Sequence, residues 1–95
     1  MSESKEFIEQ TVVKLVALYD QPFGGTGKKG GRYRIPAKLV RDIAGRRRLY
    51  EDDVKELTRA MLEKGYVLID MDSFFVVTSA NTFVNYRRAN EDCLE

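Results

Sequence analysis

The stretch from Glu51 to Thr78 places the tightest constraint on how this chain can fold. Tyr50, Val54, Leu57, Met61 and Leu62 recur at helical spacing, so they predict a helix over about Glu51 to Lys64 with these side chains on its buried stripe. Glu51, Asp52 and Asp53 complement the positive end of its dipole, Lys64 complements the negative end, and Gly65 is expected to cap it. Two runs rich in aromatic and β-branched residues follow, Tyr66 to Met71 and Phe74 to Thr78, separated by a polar turn at Asp70 to Ser73. That pattern reads as a β-hairpin. Both of its faces carry apolar side chains. One is expected to cover the helices, while the other, holding some of Val67, Ile69, Phe75 and Val77, needs a further cover from a final helix or a partner.

The remaining elements are shorter or weaker. Phe7, Ile8, Thr11, Val12, Leu15, Val16 and Tyr19 form one face of an amphipathic helix over residues 5 to 19, with Ser4 as its expected N-cap. Asp20-Gln21-Pro22 stops that helix, and Phe23 to Gly31 holds five of the chain's seven glycines, which marks a flexible loop. Arg32 to Ile35 alternates charged and apolar residues, as a short strand with Tyr33 and Ile35 inward would. Pro36 ends that strand and starts a short helix through Leu39, Val40, Ile43 and Ala44, closed by Gly45. A last helix is expected over about Ala80 to Ala89, carrying Phe83, Val84 and Tyr86, with Asn90 to Cys93 fraying beyond it.

These elements make one α+β domain over residues 1 to 93, since 95 residues leave no room for a second core. Leu94-Glu95 reads as the junction between a cloned gene and a C-terminal affinity tag. No apolar run reaches the length of a membrane span, and Met1 to Glu6 lacks the order of a signal peptide, so a cytoplasmic location is expected. Cys93 is the single cysteine and excludes a disulfide within the chain.

The order helix, strand, helix, helix, strand, strand, helix resembles the winged-helix (winged helix-turn-helix) superfamily across residues 5 to 88. The stretch Leu62-Glu63-Lys64-Gly65-Tyr66-Val67 adds to the likeness, because third helices of that family end at a glycine and turn into a strand. The resemblance implies that Ala37 to Ala44 and Glu51 to Lys64 form the helix-turn-helix, that Tyr66 to Thr78 forms the wing, and that the short strand joins it. It further implies a DNA-binding module of the kind found in small transcriptional regulators.

Charge is distributed in keeping with that role. The net charge is +1, yet Gln21 to Arg48 holds nine basic residues (Lys28, Lys29, Arg32, Arg34, Lys38, Arg41, Arg46, Arg47 and Arg48) against one acid, Asp42. From Leu49 onward five basic residues face ten acidic ones. The arginine run at 46 to 48 lies between the two helices of the helix-turn-helix, where guanidiniums reach phosphates without choosing a sequence. The other basic residues in the window are expected to add phosphate contacts to double-stranded DNA, and Lys55 and Arg59 are the basic candidates for base readout. Glu51 to Asp53, Asp70 and Asp72 oppose ordinary major-groove docking, because carboxylates beside phosphates repel. That conflict supports an alternative: a protein-interaction domain whose basic face meets an acidic partner. A homodimer through the final helix and hairpin is also expected from their apolar surfaces.

Catalytic readings find little to stand on. Gly24 to Gly31 departs from a phosphate-binding loop, because Pro22 stands where the first glycine belongs, Lys29 replaces the Ser or Thr, and a helix precedes it. Asp70 and Asp72 fit turn chemistry, and the absence of histidine removes the commonest general base and metal ligand. The chain therefore reads as a binding protein, with no enzyme activity and no cofactor or metal expected. Of its aromatic residues, Tyr33 stands between Arg32 and Arg34 and is the candidate for stacking on a base.

Overall fold

A computed structural model describes residues 3–21 and 30–94. Its elements are α1 (Glu3–Asp20), β1 (Tyr33–Pro36), α2 (Ala37–Ala44), α3 (Glu51–Glu63), β2 (Tyr66–Asp70) and β3 (Phe74–Ser79), followed by single 3-10 turns at Ala80–Phe83 and Glu91–Leu94. The three strands form one antiparallel sheet in the order β1-β3-β2.

The core lies between the helices and one face of this sheet. Helix α1 contributes Phe7, Ile8, Val12 and Leu15, α2 contributes Val40 and Ala44, α3 contributes Leu57 and Met61, and the strands contribute Ile35, Leu68, Phe75 and Val77. Two polar groups inside this layer are satisfied locally. The Thr11 hydroxyl donates to the Phe7 carbonyl at 2.6 Å, and the Tyr33 hydroxyl donates to the Leu15 carbonyl at 2.6 Å, tying β1 to α1. Burial pushes the Tyr33 phenol well above the usual tyrosine range.

Glycines at left-handed positions end two of the helices. Gly45 has φ 70°, and the bonds Gly45 N–H to Asp42 O (3.1 Å) and Arg46 N–H to Arg41 O (3.0 Å) form a Schellman motif that closes α2. At the end of α3 the cap falls on Lys64, one residue before the expected position. Gly65, with φ 92°, then makes the turn into β2. At the other end of α3, the Asp53 carboxylate accepts the Tyr50 backbone N–H at 3.0 Å.

Several expectations need correction. Helix α1 begins at Glu3, so Ser4 lies within it instead of capping it. Tyr50 and Leu62 are 64% and 57% exposed and do not belong to the buried stripe of α3. Tyr50 has extended backbone ahead of the helix, and Leu62 sits about 100° around the axis from the fully buried Met61. Phe75 and Val77 face the helices, so the outer face of the hairpin consists of Val67, Ile69, Phe74, Val76 and Thr78. The final helix is absent among the described residues, and with it goes the expected helical dimer surface. Ser79 accepts the Asn81 N–H at 3.2 Å and the Thr82 hydroxyl lies 3.2 Å from that of Thr78, contacts that hold a 3-10 turn against the sheet. Val84 and Tyr86 beyond it remain 71% and 61% exposed, so a helix there would lack the packing that stabilises short helices. Glu91–Leu94 forms a short, fully exposed 3-10 turn.

No described helix is long and apolar enough to cross a membrane. The loop expected over Phe23 to Gly31 lies outside the described residues except for Gly30 and Gly31.

Candidate nucleic-acid interface

The basic residues of the central window fall on distinct surfaces. Lys38 and Arg41 stand three residues apart on α2 and therefore share one side of that helix. The Schellman turn at Gly45 reverses the chain so that Arg47 and Arg48 come back beside Arg41, and these three arginines line one open hollow with Leu49, Tyr50 and Glu51. Lys38, Arg47 and Arg48 are exposed, while Arg41 is half-buried.

Two other members of the window stand against aromatic rings. Arg46 lies over the Phe7 ring, 4.2 Å from its centroid, so its guanidinium is held against the start of α1. Arg34 alternates onto the outer face of the sheet, 5.6 Å from the centroid of the Phe74 ring. Arg32 is exposed just before β1. Lys28 and Lys29 lie outside the described residues.

Acidic groups border this basic surface. Arg41 also lines a groove with Asp70 and Asp72 at the hairpin turn, together with Ala37, Leu49, Val54 and Phe75. The turn is drawn toward α2 because the Ala37 N–H donates to the Ser73 carbonyl at 3.0 Å. Within the turn, the Asp70 carboxylate accepts the Asp72 N–H at 2.8 Å, and Asp72 itself adopts φ 73°. This matches the turn chemistry expected of the two aspartates.

Helix α3 presents a mixed face to solvent, with Glu51, Asp52, Glu56 and Glu63 exposed beside Lys55 and Arg59. Arg59 lines a groove between α1 and α3 with Glu9, Glu56 and Glu63. Lys55 follows Glu51 by four residues, a spacing at which opposite charges attract along a helix. Arg59 is therefore set apart from the α2 cluster, while Lys55 stands one turn along α3 from Glu51, which lines the hollow.

Tyr33 faces inward as the strand alternation predicts, which removes it as a stacking candidate, and Tyr50 leaves the core position expected of it. Tyr33 is half-buried with its hydroxyl bonded to α1, so its ring belongs to the packed layer instead of a stacking surface. Tyr50, read from the sequence as core, is exposed in the hollow with Arg41, Arg47 and Arg48. Its place directly before the acidic first turn, Glu51 to Asp53, marked it as a residue ahead of the helix, off the apolar stripe. Tyr66 packs edge-on against Tyr19 with ring centroids 5.1 Å apart.

Among the described residues, no group of three or more His, Cys, Asp or Glu side chains is placed to hold a metal ion. Cys93 is exposed near Asn90. Comparison of the chain with family models, with curated proteins and with solved structures returns no match.

Proposed function

We propose that this protein is a nucleic-acid-binding module of the winged-helix type that grips duplex DNA by its phosphates. The observation that carries the proposal is the convergence of Arg41, Arg47 and Arg48 around one hollow, with Lys38 on the same side of α2. Guanidiniums with fixed fork geometry bind phosphate oxygens in pairs, and several on one surface follow a backbone without reading its sequence. Tyr50 adds a flat aromatic surface beside them that suits a sugar or an exposed base. The order from α1 to β3 and the β1-β3-β2 sheet support the winged-helix resemblance, although its final helix is replaced by a 3-10 turn.

In this reading α2 and the connection to α3 carry the contact, and α3 does not enter the groove in the usual manner. Four exposed carboxylates on α3 against Lys55 and Arg59 oppose close approach to phosphates. The protein is accordingly proposed to be a backbone binder with little sequence preference, acting as a regulator or accessory factor and not as an enzyme.

The aspartates beside Arg41 favour a second reading, in which the basic hollow receives a compact acidic protein segment. A short segment can place its carboxylates on Arg47 and Arg48 and stay clear of Asp70 and Asp72, whereas a continuous polyanion passes both. Competition distinguishes the two. Binding of a labelled duplex at low salt that resists a polyglutamate peptide supports the DNA reading, and tight polyglutamate binding with no duplex binding replaces it with the second.

A further inference from the structure

The two edges of the sheet differ in how they are protected. The Met71 N–H donates to the Phe74 carbonyl at 2.9 Å and the Ala80 N–H to the Gly65 carbonyl at 3.0 Å, which fixes the phase of the hairpin ladder. Backbone groups of Val67 and Ile69 therefore turn toward β3, and those of Tyr66, Leu68 and Asp70 point away from the sheet. Among the described residues, no hydrogen bond reaches the outward groups. The same alternation in β3 directs Phe75 and Val77 to β1, so the outward positions of β1 are Arg34 and Pro36. A charge and a residue without an N–H blunt that edge. Edge β2 has neither protection before Asp70, and its outer-face side chains Val67 and Ile69 are half-buried.

We infer that β2 is the interface to a second copy of this chain, pairing antiparallel with itself about a two-fold axis at Leu68. This register matches the outward groups: Leu68 pairs with the partner's Leu68, and Tyr66 pairs with the partner's Asp70. Each of these pairs exchanges two bonds, giving about six across the axis. It sets Val67 against the partner's Ile69 on the sheet face away from the helices, so each covers the other. Charge selects the same direction. Lys64 lies at one end of the strand and Asp70 and Asp72 at the other, all exposed. Antiparallel pairing brings these opposite charges together, and parallel pairing sets each beside its like. The two protomers then share one six-stranded sheet, closed by symmetry, with the blunted β1 strands at its outer edges.

Sedimentation equilibrium on the full chain, from micromolar to near-millimolar concentration, tests this inference. The expected result is a shift from the 10.9 kDa monomer toward twice that mass. V67K/I69K places lysines opposite one another across the axis and should weaken dimerisation by about tenfold or more, while V67E/I69K places opposite charges there and should restore it. Amide hydrogen exchange on the unmodified chain supplies a second readout that no variant can spoil. The Leu68 amide should become protected as concentration rises, and the Val67 and Ile69 amides, bonded within the hairpin, should be slow throughout. A monomer at every concentration overturns the inference, as does a dimer insensitive to the charge exchange or one whose Leu68 amide stays unprotected.

Discussion

The salt dependence of duplex binding counts the phosphates that a basic surface neutralises. Four side chains lie together on the α2 side of the molecule: Lys38, Arg41, Arg47 and Arg48. If these make the contact, log affinity falls against log salt with a slope of about −3.6, which is roughly a 150-fold loss from about 50 to 200 mM. If all eleven basic candidates touched the backbone, the slope would be about −10. Replacing Arg41, Arg47 and Arg48 by alanine leaves Lys38, so the slope drops to about −0.9 and the loss over the same range to about 3.5-fold. Fluorescence anisotropy of a labelled duplex at four salt concentrations measures this, with circular dichroism confirming that the variant is folded. A wild-type slope of about −6 would show that Arg32, Arg34 and Arg46 also bind, and one of about −10 that Lys28, Lys29, Lys55 and Arg59 join them. A triple variant that keeps the wild-type slope would refute the placement of the interface on α2.

Three further outcomes follow from the geometry. Substituting Lys55 and Arg59 by alanine should leave the duplex salt slope unchanged, because Arg59 sits among carboxylates in the α1–α3 groove; a reduction of about one or more would put α3 in contact with phosphate. Leu57→Ala should cost about 2–5 kcal/mol in chemical denaturation and Leu62→Ala less than about 0.5 kcal/mol, since the first side chain is 1% exposed and the second 57%. Tyr33→Phe should cost about 1 kcal/mol at neutral pH, measured by the denaturation midpoint, through loss of the bond to the Leu15 carbonyl. It should also alter the alkaline limb. Burial raises the folded-state value for Tyr33 above the unfolded value, so the stability linked to this phenol is complete below about pH 10 and is lost as pH rises through the folded value. The phenylalanine variant should lack that component, and an identical alkaline loss in both proteins would show that Tyr33 is not its source.

Much of the backbone was legible from local chemistry. The apolar period of residues 5 to 19, the Pro36 start and Gly45 stop of α2, the acidic first turn of α3 and the paired runs around Asp70 to Ser73 each act within one turn of helix or one hairpin. Such signals operate without the rest of the molecule, which is why the observed elements match them to within a residue or two. The missing C-terminal helix shows where that reasoning stops. Phe83, Val84 and Tyr86 have helical spacing, but a short helix needs a surface to receive its apolar side, and the hydroxyls of Ser79 and Thr82 had already tied the chain into a tighter turn.

The candidate site divides in the same way. Nine basic residues between Gln21 and Arg48 are a property of composition, visible as a run of letters. Their grouping is a property of folding: a left-handed glycine returns Arg47 and Arg48 to Arg41, an aromatic ring takes Arg46, and strand alternation sends Arg34 to the far face of the sheet. Tyr33 followed its strand alternation inward, whereas Tyr50 left the packed layer, since hydrophobicity alone does not say which aromatic ring that layer has room for. Periodicity and caps act between residues close in sequence, whereas burial and charge convergence depend on which distant segments the core brings together.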